Sequence, residues 1–327
     1  MKLLVTGGAG FIGSCFIRHI LRKHPDYSVI NLDCLTYCGN IENLDDVKDN
    51  PNYKFIKGNI CDRALVMSVV KDCDWVVNFA AESHVDNSIK NPYIFVETNV
   101  NGTLNLLDCA LKSNVQKFLQ VSTDEVYGSL SENGYFYETT PLMPNSPYSA
   151  SKASADLLVR SYFKTYGMPV LNTRCSNNYG PYQYPEKLIP FFISKLLKNA
   201  KVPVYGDGMN IRDWLYVYDH AEAIDLVLHK GKIGEIYNIG GHNEKTNLEI
   251  TKIILDAMGK DENSIEFVED RLGHDRRYAI CNDKISSELG FSPSVTFEEG
   301  IKLTIDWYLN NQDWIKKIEQ KRLLTRI

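Results

Sequence analysis

The chain has 327 residues, 44% of them hydrophobic and 24% charged, with a formal net charge of -5. This is enough chain to bury a large core in two lobes around a cleft, and the acidic balance argues against nucleic acid or an anionic membrane as main partner, since both demand clustered positive charge. A strand pattern starts directly after Met1, no apolar run approaches 18 residues, and the eight cysteines form no C-x-x-C pair, so no signal peptide, no membrane span and a cytoplasmic setting with reduced thiols are expected.

In chain order, Lys2 to Thr6 reads as a short apolar strand. Gly7, Gly8, Gly10 and Gly13 then form a glycine turn leading into a helix with Phe16, Ile17, Ile20 and Leu21 on one face. Such glycines let the backbone turn tightly and approach a pyrophosphate, whose charge the helix N-terminus stabilises. A second strand, Val29 to Leu32, ends at Asp33, 20 residues past Gly13. There a carboxylate accepts from both ribose hydroxyls and repels a 2'-phosphate, which favours NAD over NADP. Further strands near Tyr53–Lys57, Trp75–Phe79 and Phe118–Val121 alternate with helical patterns, predicting an α/β fold of the Rossmann type, a doubly wound parallel sheet.

The strand ending at Thr123 is followed by Asp124 and Glu125, and Tyr148 and Lys152 come 23 and 27 residues after Glu125. Asn91-Pro92 predicts the start of a helix running to about Ser113, and Ser146-Pro147 of one running to about Tyr166. On the second helix Tyr148 and Lys152 share a face. A cation one turn away is expected to lower a phenol from its usual value of about 10 towards neutrality. Tyr53 and Lys57 repeat the spacing on a strand without polar company and read as structural. Hydroxyl, Tyr and Lys suffice for nicotinamide chemistry; an added acid and base imply proton abstraction and loss of a leaving group from the oxidised substrate. Ser83 reaches the same mouth of the sheet, and His84 beside it reads as structural or as a support behind the site residues.

From Cys175 the alternation becomes irregular, with Pro181, Pro185, Pro190, Pro203 and a Gly206-Asp207-Gly208 turn marking loops. Residues 1–174 are therefore expected to form the cofactor-binding domain, rejoined by 214–241. Residues 175–213 and 242–327 form a smaller, interleaved substrate lobe. The basic tail after Asp313 reads as a solvated helix face. No metal site is expected.

Seven segments carry a resemblance that spans nearly the whole chain: TGGAGFIG at 6–13, FAAESHVD at 79–86, VSTDEVYGS at 121–129, PNSPYSASK at 144–152, TRCSNNYGPYQYPEKLIP at 173–190, GDGMNIRDWLYV at 206–217 and DRLGHDRRYAI at 270–280. Together they resemble the dTDP-glucose 4,6-dehydratase family, within the extended short-chain dehydrogenase/reductases. The resemblance implies a homodimer that converts dTDP-glucose to the 4-keto-6-deoxy sugar nucleotide. It implies that Tyr148 takes the 4-hydroxyl proton, Thr123 hydrogen-bonds that oxygen, Lys152 holds the nicotinamide ribose, Glu125 removes the C5 proton and Asp124 protonates the departing 6-hydroxyl.

The same likeness assigns NAD to Phe11, Ile12, Asp33, Cys34, Leu35, Thr36, Asn59, Ile60, Phe79, Ala80, Ala81, Ser83, Thr98, Tyr148, Lys152 and Asn178. It assigns the sugar nucleotide to Ser83, Thr123, Asn177, Lys187, Leu188, Pro203, Val204, Tyr205, Arg212, Asn247, Arg271 and His274. Arg212 and Arg271 are the fork-shaped cations a diphosphate prefers. Three positions depart from the family pattern: Asn59 stands for a frequent Asp, Leu272 for a common Pro, and Asn87 makes HVDNS more like the UDP-glucose dehydratases. A UDP-glucose 4,6-dehydratase is therefore the first competing reading. A 4-epimerase, which needs neither Asp124 nor Glu125, and a noncatalytic NAD-binding regulator are the others.

Overall fold

The computed structural model describes residues 1–270 and 273–324, the side chains of 322–324 excepted. Its strands among these residues are β1 (Lys2–Thr6), β2 (Ser28–Asp33), β3 (Tyr53–Lys57), β4 (Trp75–Asn78), β5 (Lys117–Thr123), β6 (Val170–Cys175), β7 (Asn177–Tyr179), β8 (Val202–Tyr205), β9 (Ile211–Tyr216), β10 (Ile236–Ile239), β11 (Glu244–Thr246) and β12 (Ile265–Val268). Seven of them make one parallel sheet in the order β10-β6-β5-β4-β1-β2-β3. The strand order reverses between β1 and β4, the place where open α/β sheets bind ligands outside the carboxyl ends of their strands.

The sheet's strands are apolar on both faces because helices cover both. On one face Leu3, Val5, Val77, Leu119 and Leu171 meet Phe16, Ile17 and Ile20 of helix Phe11–Lys23 and Ala221, Ile224 and Leu228 of helix Val217–Lys230. On the other, Leu4, Val76 and Phe118 meet Leu106, Leu107 and Val159 of helices Thr103–Lys112 and Pro147–Tyr166. A second core, with Tyr179, Phe192, Trp214, Ile250, Phe297 and Tyr308, lies under β7, β9 and β11 and the helices after them. The chain returns to the large sheet through β10, and Ile285 and Phe291 join that sheet's core as well.

The long helix expected from Pro92 is a helical run of changing pitch. It has α turns at Pro92–Phe95, a π-helical stretch over Val96–Gly102, and α turns again from Thr103 to Lys112. Asn91 occupies its N-cap without a side-chain capping bond. Helix Pro147–Tyr166 starts with a full capping box, the Ser146 side chain accepting from the Ser149 N–H while the Ser149 hydroxyl reciprocates.

Away from the ligand end, Asp225 is surrounded by nitrogen. His19 Nε2 lies at 3.0 Å, His24 Nε2 at 3.1 Å, His229 Nδ1 at 2.8 Å and Lys23 Nζ at 3.1 Å. Ligand atoms of His24, Asp225 and His229 fall within 4.8 Å of one another, a spacing compatible with a metal ion. The Lys23 ammonium already neutralises the carboxylate, however, and the stacked His24 and His229 rings both direct a nitrogen at its Oδ1, at 3.1 and 2.8 Å, so the carboxylate already occupies those nitrogens. The arrangement is a staple of charged hydrogen bonds between two helix ends.

Candidate active site

The turn after β1 is built for close approach. Gly7 has φ +71°, and a Cβ there would stand 2.6 Å from the Ala80 nitrogen; one on Gly13 would stand 2.4 Å from the Gly7 carbonyl oxygen. With no side chains in the way, the first turn of helix Phe11–Lys23 faces the mouth of the sheet with its N–H groups open to an anion. Asp33 closes the turn: Oδ2 accepts from the Ala9 N–H at 2.9 Å and Oδ1 from Leu35 at 2.7 Å. Burial raises its carboxyl from the ordinary range, opposed by those two bonds.

One cavity runs from this turn to the end of β5. It is lined by Gly7, Gly10, Phe11, Ile12, Gly13, Asp33, Cys34, Thr36, Asn59, Ile60, Phe79, Ala80, Ala81, Ser83, Thr98, Tyr148, Lys152 and Asn178, and by Thr123, Asp124 and Glu125 at its far end. Of the expected cofactor residues, Leu35 alone stays off the wall. It contributes through its backbone, which adopts φ +55° and points the N–H at Asp33. The cavity's shape and its glycine cradle fit a dinucleotide.

A second cavity opens from the first and is lined by Asn177, Lys187, Leu188, Pro203, Val204, Tyr205, Arg212, Asn247 and His274. Glu125 and Asn177 belong to both walls, so the two cavities meet at the acidic pair. Arg212 is buried, donating to the carbonyls of Ile211 (2.7 Å) and Asp275 (2.9 Å), with its guanidinium 4.3 Å from the centre of the Tyr278 ring. Arg271 lies outside the described residues.

At the junction, Thr123 Oγ1 donates to Asp124 Oδ1 at 3.3 Å and accepts from the Glu125 N–H at 3.3 Å. Asp124 is buried, and its Oδ2 has no hydrogen-bond partner among the described residues. Burial first, then the neighbouring Glu125 and Asp213 carboxylates, push its carboxyl well above the usual range, which favours the protonated form. Glu125 is only half-buried and lines both cavities, so the two adjacent carboxyls sit in different environments, one sunk into the protein and one at the cavity edge.

Tyr148 corrects the sequence expectation. Its phenol is pushed well above 10, by burial and then by the Glu125 charge, opposed by the Thr123 hydroxyl. Lys152 does not offset this: its Nζ donates to the Val121 carbonyl at 2.7 Å, and burial lowers its own pKa. Spacing alone put the two residues on one face; it could not show where the ammonium points.

The structure also names residues the sequence did not. Asn99, in the π-helical stretch, accepts from the Glu82 N–H (2.9 Å) and donates to the Glu82 carbonyl (3.0 Å) and to Ser151 Oγ (2.8 Å), which itself donates to the Tyr148 carbonyl (2.6 Å). The wide turn thereby pins the loop after β4 to the helix carrying Tyr148. His84 caps helix Val85–Lys90 by accepting from the Asn87 N–H at 3.4 Å. Glu186, which also lines both cavities, accepts from Tyr37 Oη at 2.9 Å. Its one sequence signal is its place beside Lys187.

Comparison with known proteins agrees with this arrangement. The family described as GDP-mannose 4,6 dehydratase matches residues 4–304. A dTDP-glucose 4,6-dehydratase of Xanthomonas campestris is 52% identical over 96% of this chain and 95% of its own length. The low-salt glycan biosynthesis protein Agl12 of Haloferax volcanii is 54% identical over 96% of this chain and all of its own. The crystal structure of DesIV, a dTDP-glucose 4,6-dehydratase from Streptomyces venezuelae with NAD bound, superposes with a TM-score of 0.94 at 52% identity, covering 96% of this chain and 98% of that one.

Proposed function

The chain belongs to the GDP-mannose 4,6-dehydratase family, among its dTDP-glucose 4,6-dehydratases, and from that premise we propose how its own residues carry the conversion of dTDP-glucose to dTDP-4-keto-6-deoxyglucose and water. The observation that carries the reading is the acidic pair at the junction of the cavities, one member buried with its carboxyl raised, the other shared by both walls. A 4-epimerase has no use for it.

The cradle of Gly7, Gly10 and Gly13, Asp33 and the loops at Asn59 and Phe79–Ser83 would hold NAD. Bound NAD supplies the hydride acceptor at C4, the hydride donor at C6 and a positively charged ring that favours the Tyr148 phenolate. Tyr148 takes the proton of the 4-hydroxyl while Thr123 hydrogen-bonds that oxygen. The 4-ketone acidifies C5, and Glu125 removes the C5 proton. Asp124 gives its proton to the 6-hydroxyl, which leaves as water. Glu125 then returns a proton to C5 as C6 is reduced. The proton taken from the 4-hydroxyl balances the one Asp124 spends, so protons and electrons close over the cycle.

Arg212, Lys187, Asn177 and Asn247 are the groups suited to the diphosphate and sugar, with Pro203, Val204 and Tyr205 against the base. Residues 1–174 with 214–241 act as the cofactor part, and 175–213 with 242–327 as the substrate part, apart from the Ile285 and Phe291 contacts with the large sheet. Incubation with dTDP-glucose should yield the 4-keto-6-deoxy product; an epimer alone, or no product from folded protein, would overturn the reading. A specificity constant for UDP-glucose equal to or above that for dTDP-glucose would move the enzyme to the UDP class.

Tyr93, Val96, Leu104 and Leu157 are exposed on the helices at Pro92–Lys112 and Pro147–Tyr166, Tyr93 to 83%. An apolar face of this kind supports a homodimer, and Leu157→Glu should then halve the mass in solution. All eight cysteines are unpaired, which suits the cytoplasm.

A further inference from the structure

The last helix, Gln312–Leu324, reads in sequence as a solvated basic face, yet it touches the glycine turn through a chain of hydrogen bonds. Trp314 Nε1 donates to Asn43 Oδ1 at 3.0 Å, and Asn43 Nδ2 donates to the Ala9 carbonyl at 3.1 Å. The N–H of the same Ala9 donates to Asp33 Oδ2 at 2.9 Å. A parallel branch runs from Lys321 Nζ to Asn40 Oδ1 (2.8 Å), and the Asn40 N–H also donates to the Ala9 carbonyl, at 3.0 Å. Asn40 and Asn43 are almost wholly buried and Trp314 is 9% exposed, so water does not compete for these bonds.

We propose that Trp314 is a positioning residue for the dinucleotide, its indole N–H fixing Asn43, hence the Ala9 peptide, hence the orientation of the Asp33 carboxylate. Ala9 lies between Gly8 and Gly10, residues with no side chain to fix the turn, and both its carbonyl and its N–H are held by hydrogen bonds. The carbonyl is held by two asparagines that are themselves held from the far lobe. The aromatic side of the contact is equally specific: Tyr182 packs on Trp307 and Trp314, with ring centres 4.4 and 6.0 Å away, and the Arg18 guanidinium lies 4.3 Å from the Tyr182 ring. Arg18 belongs to the helix that follows the glycine turn, and it donates to the Asn43 carbonyl as well. The C-terminal helix therefore grips the cofactor turn at its loop and at its helix, while leaving the sugar-nucleotide cavity untouched.

The inference rests on the reading that Asp33 and the glycine turn hold NAD, and three variants separate the two. Trp314→Phe keeps the ring and removes only the N–H; Asn43→Asp keeps an acceptor for Trp314 and removes the donor to Ala9; Asp33→Ala removes the end of the relay. NAD binding to stripped, full-length protein is measured by calorimetry, together with thermal unfolding without NAD and KM for dTDP-glucose at saturating NAD. The expectation is a dissociation constant for NAD raised about three- to tenfold in Trp314→Phe and in Asn43→Asp, the worth of one neutral hydrogen bond, with KM for the sugar nucleotide unchanged. Unchanged NAD affinity in both, while Asp33→Ala binds weakly, overturns the relay. Unchanged affinity in Asp33→Ala overturns the cofactor reading and the relay with it. A fall in unfolding temperature without any change in NAD affinity assigns Trp314 to packing alone.

Discussion

Glu125→Gln keeps the shape of the side chain at the meeting point of the cavities and removes its ability to accept a proton. C4 oxidation should continue and the C5 proton should stay, so reduced cofactor should build up on the enzyme while turnover falls by about 10²- to 10⁴-fold, the usual worth of a general base. Stopped-flow absorbance of bound NADH checks this; normal turnover would remove Glu125 from the mechanism. Asp124→Asn separates the acid from the base. The C5 proton should still exchange with solvent deuterium in the 4-keto intermediate, but water should leave slowly for want of a donor, and mass spectrometry of recovered sugar should show C5 label without 6-deoxy product. Rapid product formation would show that the raised carboxyl of Asp124 serves something other than the leaving group.

At the scale of elements, the joint between helices Phe11–Lys23 and Val217–Lys230 offers the clearest test. Burial alone would raise the Asp225 carboxyl, but hydrogen bonds from His19, His229 and Lys23 outweigh it and hold the carboxyl far below the usual range. The bond to Asp225 raises His229 above 6.5. The depressed acid contributes stability above its unfolded pKa of about 4, lost as pH falls towards its folded value; the raised imidazole contributes below about 6.5, lost as pH rises through its folded value. The melting temperature should therefore peak in the mildly acidic window between them. Asp225→Asn should cost about 3 kcal/mol, as when one member of a buried pair is removed, and should flatten that peak in a pH series of thermal melts.

The same scale shows what a linear reading can see. The first five strands, the capped helix from Pro147 and the glycine turn were legible because each is written in adjacent residues. The π-helical stretch was not: the β-branched, Asn and Gly residues of Val96–Gly102 are poor helix formers but specify no pitch, and its wide turn answers to Glu82 and Ser151, which are remote in sequence. Helix spacing gave Tyr148 and Lys152 a shared face but not the Val121 carbonyl that occupies the ammonium. The basic tail looked solvated because nothing local reveals that Trp314 reaches Asn43.

For the whole molecule, the chemistry predicts closure in both senses. If hydride leaves C4 and the same cofactor returns it to C6, deuterium at C4 of dTDP-glucose should appear at C6 of the product in one turnover, with no added NAD consumed. Nuclear magnetic resonance of the product decides it; solvent hydrogen at C6 would mean that the intermediate or the cofactor leaves between half-reactions. Retention is favoured by walls drawn from both lobes, with Glu186 of one held by Tyr37 of the other.

The late return of β10 and of helix Val217–Lys230 to the large sheet also bears on how the protein is made. Phe16, Ile17 and Ile20 are translated some two hundred residues before the surface that covers them, Ala221, Ile224 and Leu228. A nascent chain ending near Cys175 has six of its seven parallel strands and one bare apolar face. Such an intermediate is not a finished nucleotide-binding domain, and cutting the gene in two there would leave the cofactor half without the helix and strand that complete its core.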